Sequence, residues 1–224
     1  MKKNIIIFLF CLLIPFSVNA RENNLVMNLK YKPNHNVGVR PHNVPADKIF
    51  FEHIKDARSN PRSIGENLEH RNERVPVFSS DSDSVSRFVH SALVKEFRSK
   101  NFAVEDQAGA ASKIITGTVL KFWTIETSTY SSQTQIRIEV KDKNGRVYHN
   151  RTYTGTGKNR GRSLSDNNYY ESMSDSMTSL IDKLFSDHEF LNALSGSSPS
   201  PGVSRKSSPP ARAPVKDKPV FGPK

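Results

Sequence analysis

The stretch Thr134 to Lys141 (TQIRIEVK) alternates strictly, with Ile136, Ile138 and Val140 on one side and Gln135, Arg137 and Glu139 on the other. A period of two is the pattern of a strand with one buried and one wetted face, and a helix cannot satisfy it. The next four residues, Asp142-Lys143-Asn144-Gly145, supply a hairpin turn, because an Asn-Gly pair tolerates the positive φ angles of tight primed turns. Asn144 and Gly145 are therefore assigned a structural role, and Arg146 to Thr156 reads as the returning strand. Upstream, Lys113 to Glu126 (KIITGTVLKFWTIE) is rich in β-branched and aromatic residues and predicts a long strand. These segments commit the middle of the chain to an antiparallel meander.

Two helices bracket it. Ser79-Ser80-Asp81-Ser82-Asp83 offers several N-cap side chains, and Val85, Phe88, Val89, Ala92, Leu93 and Phe97 follow at helical spacing on one face. After a loop expected at Gly157 to Ser163, Tyr170, Met173, Met177, Leu180, Ile181 and Leu184 predict a second amphipathic helix, and Glu189 to Leu194 a short third. Shorter strands are expected at Asn24 to Tyr31, Lys48 to Lys55 and Phe102 to Glu105, with a long loop from Asp56 to Pro76. The fold class that follows is α+β: two layers, a mostly antiparallel curved sheet with two main amphipathic helices on one face. The opposite face is left to solvent or to a partner.

The ends of the chain read differently. Lys2 and Lys3, the apolar run Ile5 to Phe16 and the small-residue site Val18-Asn19-Ala20 have the form of a secretory signal peptide. Residues 1–20 are expected to be removed, leaving a single domain over 21–194. Twelve apolar residues fall short of the roughly 20 that a membrane-spanning helix needs. Cys11, the single cysteine, lies inside this run behind Phe8-Leu9-Phe10, a poor context for lipid attachment. Cleavage after Ala20 would leave a chain without disulfides, thiolate metal sites or a cysteine nucleophile. Residues 195–224 are rich in proline and serine and lack apolar periodicity, the signature of a disordered basic tail. The leader carries +2 and the tail +5 of the net +11, so only +4 belongs to the domain, too little to indicate nucleic-acid binding.

No motif names a chemistry. Thr154-Gly155-Thr156-Gly157-Lys158-Asn159-Arg160-Gly161 fails as a phosphate loop, since Thr152 and Asn159 stand where glycine and Ser or Thr are needed. Its glycines read as a strand-to-helix connection. Its cations, with Arg162, give a candidate anion or partner site of Lys158, Arg160 and Arg162 near a helix start, where amides and dipole favour an anion. The histidines show no metal-ligand spacing, and no serine lies in a nucleophile motif, so no catalytic residue, cofactor or metal is expected. Asp56 and Arg58 read as a structural pair fixing the loop after the second strand. Trp123 reads as sheet packing or, if outward, as a docking anchor.

The order of these elements resembles the YajG family of bacterial envelope lipoproteins over about residues 24–194. The resemblance is carried by the early strand Asn24 to Tyr31, the strand ending in Asp56-Ala57-Arg58, the helix Val85 to Phe97 leading into Asn101-Phe102, the sheet Ile114 to Ile125 with Thr134 to Tyr153, and the closing helix with Glu189-Phe190-Leu191. It implies a periplasm-facing, outer-membrane-associated protein without enzymatic activity. The expected function is a non-catalytic envelope binding or assembly protein with an envelope protein as partner. The alternatives are an envelope hydrolase or cell-wall enzyme, and an electrostatic binder of anionic lipid or cell-wall polymer through the tail.

Overall fold

The computed structural model describes residues 24–41, 44, 47–69 and 74–195. The leader and the tail lie outside the described residues. In chain order the elements are β1 (Leu25–Met27), β2 (Ile49–Phe51), β3 (Lys55–Asp56), β4 (Ser63–Asn67), β5 (Val75–Ser79), α1 (Ser84–Ser99), β6 (Val104–Glu105), β7 (Lys113–Glu126), β8 (Tyr130–Asp142), β9 (Val147–Asn159), α2 (Asp166–Ser186) and α3 (His188–Leu194).

One strand organises the sheet. Along one edge β7 pairs antiparallel with β8, which pairs antiparallel with β9. Along its other edge β7 receives three short parallel strands in turn: β2 at Lys113 to Ile115, β3 at Thr118 and Val119, and β4 at Thr124 to Glu126. β4 continues antiparallel to β5, β5 pairs parallel with β1, and β6 pairs parallel with β2. The long pairings are antiparallel, and the sheet curls into a half-barrel with all three helices against its concave side. This is the expected two-layer α+β architecture.

The helical faces are those the spacing predicts. Val85, Phe88, Val89, Ala92, Leu93 and Phe97 of α1 are buried, as are Tyr170, Met173, Met177, Leu180, Ile181 and Leu184 of α2. Phe97 is the hub of an aromatic cluster, with ring centroids 4.9 Å from Phe51, 4.8 Å from Phe102 and 4.9 Å from Phe185. Edge-on packing of this kind adds to the gain from area burial alone.

Several local expectations are corrected. Only Leu25 to Met27 of the first predicted strand is paired; the chain then leaves the sheet and runs along α2, where, just past the predicted strand, Lys32, Asn34 and Val39 donate their amides to Ser174 Oγ, Asp175 Oδ1 and Asp182 Oδ1 at 2.8, 2.8 and 2.9 Å. Side-chain acceptors on the helix thus take over the hydrogen bonding that a sheet neighbour would supply. The second predicted strand divides into β2 and β3. The long loop expected over 56–76 contains β4, in which Ile64 is buried and Gly65 passes so close to β7 that a Cβ would lie 2.4 Å from the Thr124 carbonyl oxygen. At the hairpin only Gly145 has positive φ, +82°, so the turn is not a primed one with both central residues left-handed. Asp142 Oδ1 accepts the amides of Asn144 and Arg146 and closes it.

The glycines of the failed phosphate loop also have a different use. β9 runs on to Asn159, and Gly155 and Gly157 lie within it under α2. The close approach brings serines of the helix against the sheet. Thr124 and Ser132 are 2.6 Å apart, Ser132 and Ser172 2.8 Å, and Thr134 and Ser176 2.6 Å, all buried and mutually hydrogen bonded.

Candidate functional site

The face of the sheet away from the helices is the accessible one, and a bulge decides what stands on it. From Lys113 to Val119 the odd-numbered residues of β7 point inward; between Val119 and Lys121 the register shifts by one residue. A one-residue shift exchanges the two faces. Beyond it Phe122, Thr124 and Glu126 point inward and Lys121, Trp123 and Ile125 outward. Without the bulge the indole would enter the core. It stands half-buried on the outer face instead.

The register places its neighbours. Trp123 lies opposite Gln133 of β8, which lies opposite Thr156 of β9. The adjacent outward rungs are Ile125, Ser131 and Lys158 on one side and Lys121, Gln135 and Thr154 on the other. Together they shape an open groove of about 520 Å³, lined by Lys121, Trp123, Ile125, Gln133, Thr156 and Lys158 among others, with no carboxylate in its wall. Ile125 is 37% exposed. Neither lysine is ion-paired within the described residues, and the Gln133 amide and Thr156 hydroxyl have no hydrogen-bond partner there.

Of the three cations grouped in the sequence, Lys158 lines this groove, while Arg160 and Arg162 are exposed beyond the end of β9. The position in front of α2 is held by the chain's own carboxylate. Glu126, fully buried, accepts from Ser163 Oγ at 2.8 Å, the Leu164 amide at 2.9 Å and the Tyr169 hydroxyl at 2.7 Å. Tyr130 donates to the Arg162 carbonyl at 2.5 Å, so the backbone of this corner is anchored from below. Asp56 and Arg58 form a nearly buried ion pair at 2.7 Å where β3 ends. Asn144 and Gly145 form the β8–β9 turn. Neither pair lines the Trp123 groove, though Arg58 also holds the Phe122 carbonyl at 3.0 Å on the strand that carries it.

Sequence reasoning missed a second polar cluster, at α3. His149 Nε2 lies 2.8 Å from the Tyr153 hydroxyl, which donates to Asp187 Oδ2 at 2.6 Å. With that hydroxyl proton committed, the imidazole is the donor to Tyr153. Asp187 also caps α3 through the amides of Glu189 and Phe190 and pairs with Arg151 at 2.7 Å. His149 and Tyr153 share a face of β9 four residues apart, but their contact with residue 187 was not legible from spacing. Burial, opposed by the Asp187 charge, holds the imidazole below its ordinary value. Burial and the hydrogen bond to Asp187 push the Tyr153 hydroxyl well up. For Asp187, burial is outweighed by the Tyr153 and Phe190 hydrogen bonds and the Arg151 charge, which keep its carboxyl low.

A pH dependence follows. His149 takes a proton more readily in the unfolded chain, so its contribution to stability is complete above about pH 6.5 and is lost as pH falls through the lowered folded value. Thermal melts between pH 8 and about pH 5 should show a falling midpoint, flattened in His149→Phe. Asp187 acts at lower pH, being most stabilising while ionised, and its loss appears only under more acidic conditions. Equal slopes for the two proteins would refute the assignment to His149.

Among the described residues no group of His, Cys, Asp and Glu is placed to hold a metal ion, and no helix is long and apolar enough to cross a membrane. The fold is thus an α+β half-barrel with its helices on the concave side and a bare groove on the other. Residues 54–195 match the family of uncharacterized lipoproteins to which YajG-like proteins belong, and the chain is a member of that family. Membership makes it an exported, envelope-associated protein. The matched region begins well after Cys11. Among solved structures it is similar to a DUF330-family protein from Xanthomonas campestris, at 12% identity over 72% of this chain and 94% of that one, with a TM-score of 0.46. It is also similar to the PelC dodecamer from Paraburkholderia phytofirmans, at 19% identity over 62% of this chain and 86% of that one, with a TM-score of 0.37. Comparison with curated proteins gives no match.

Proposed function

We propose that the protein is a non-catalytic binding or assembly component of the bacterial envelope, periplasmic or associated with the outer membrane, that engages its partner through the outer face of β7, β8 and β9. The observation that carries this reading is the outward Trp123 set between two lysines that pair with nothing in the described fold. An aromatic ring with one face in contact with the protein and one toward solvent is the kind of anchor that dominates binding energy at interfaces. No observation favours the hydrolase alternative. The His149, Tyr153 and Asp187 chain is used to dock α3, and Glu126 with Ser163 and Tyr169 to fix the entry to α2.

In-cell cross-linking of the mature protein, followed by mass spectrometry of the captured material, tests this. The full chain and a form ending at Leu194 should retain the same envelope component, and Trp123→Ala should lose it. Capture unchanged by Trp123→Ala, or lost only on removal of the tail, would refute the sheet-face reading.

A further inference from the structure

From the groove's geometry we infer that its ligand is an acidic polysaccharide, a glycan chain carrying carboxylate or phosphate groups, bound across Trp123 with its charges on Lys121 and Lys158. This rests on the reading that the outer sheet face is the binding surface, and it names the ligand class.

Spacing supports a polymer over a small anion. Lys121 and Lys158 stand on strands two apart, and their rungs are four residues apart along β7. With strands about 4.8 Å apart and about 3.4 Å per residue, their backbones are separated by about 17 Å. With both side chains standing out from the sheet, one phosphate or carboxylate does not span the two ammonium groups. A chain with repeated charges can, and it would cross Trp123, Gln133 and Ser131 on the way. The indole offers a flat apolar face for the ring carbons of a sugar, while Gln133, Ser131 and Thr156 offer donors and acceptors to its hydroxyls.

The same features disfavour a lipid surface. The apolar part of the groove is one ring and Ile125, set among amide and hydroxyl groups on a sheet face. An interfacial anchor instead needs a broad apolar face rimmed by cations. Lining cations without a carboxylate disfavour a basic or neutral partner, because the lysines would then stay uncompensated.

Trp123 is the only tryptophan in the chain, so its emission reports on this groove and not on the tail. The test is titration of the full mature chain with oligogalacturonate, with neutral dextran and phosphatidylglycerol vesicles as comparisons, calorimetry giving Kd in parallel. Oligogalacturonate should change the emission, dextran should not, and affinity should fall as salt rises. The double variant K121Q/K158Q should weaken binding at least about tenfold with an unchanged melting midpoint. Absence of an oligogalacturonate response, equal affinity of the double variant, or a stronger response to vesicles would each overturn the inference. If it fails while Trp123→Ala still abolishes capture from the envelope, the sheet face remains the binding surface and only the ligand class is wrong.

Discussion

Replacing Arg58 by alanine should lower stability by about 3–5 kcal/mol, seen as a large fall in the urea midpoint. The side chain is 9% exposed and its partner Asp56 5%. Nε and Nη2 both reach the Asp56 carboxylate, Nη1 donates to the carbonyls of Ser63 at 2.7 Å and Phe122 at 3.0 Å, and Nη2 donates to that of Pro61. One guanidinium therefore ties the end of β3, the following loop, the start of β4 and the middle of β7. Removing it leaves an unpaired carboxylate and three carbonyls without their donor, and the cost of orphaned buried groups exceeds the net worth of the bonds themselves. Lysine should recover little, because a point charge cannot reproduce a five-donor fork. A loss below about 1 kcal/mol would show that water replaces the guanidinium at no great cost.

An effect of similar size is expected from a single methyl group. In Gly155→Ala the new Cβ would lie 1.9 Å from the Ser176 carbonyl oxygen and 2.6 Å from the Leu180 amide nitrogen. Both are helix backbone, so no rotamer change relieves the clash, and α2 must lift from β9. A loss of about 3 kcal/mol or more should follow, the upper end of what overpacking costs. Lifting α2 would also part the Thr134 and Ser176 hydroxyls, now 2.6 Å apart. Gly109→Ala, where a Cβ would meet nothing within 4 Å, is the control and should leave the urea midpoint almost unchanged. If the two variants melted alike, the close helix–strand approach would be refuted.

What the sequence disclosed depended on how local the governing physics was. The faces of α1 and α2 and the span of β7 were legible because six well-placed apolar residues or an unbroken β-branched run declare themselves without neighbours. β4 was not legible, because Ser63-Ile64-Gly65-Glu66-Asn67 has one apolar residue and a glycine whose value lies in the backbone of β7 that it lets approach. The parallel pairings of β2, β3 and β4 join segments roughly 60 residues apart, which no periodicity encodes. At the candidate site the residue types were visible and the arrangement was not. Lys158 and Trp123 were singled out, but Lys121 and Gln133 enter only through the register, and the direction of Trp123 rests on a bulge that a regular alternation conceals. Arg160 and Arg162 are neighbours of Lys158 in sequence more than in the groove.

The dependence of β2, β3 and β4 on β7 also sets an order of assembly. Each short strand pairs with a template that is translated later, so Ile49 must wait for Lys113 and Gly65 for Thr124. β7, β8 and β9 need only hairpin closure and are placed to form first, because local contacts cost less chain entropy than distant ones. A chain emerging N-terminus first can thus pair β4 with β5 and β2 with β6, but it holds no central strand to join those short pairs, and no partner for β3, until β7 has followed. The sheet as a whole therefore closes only after the chain has passed Glu126, so its first strands remain in separate short pairs while the chain is still threading, a state that a translocation channel can pass.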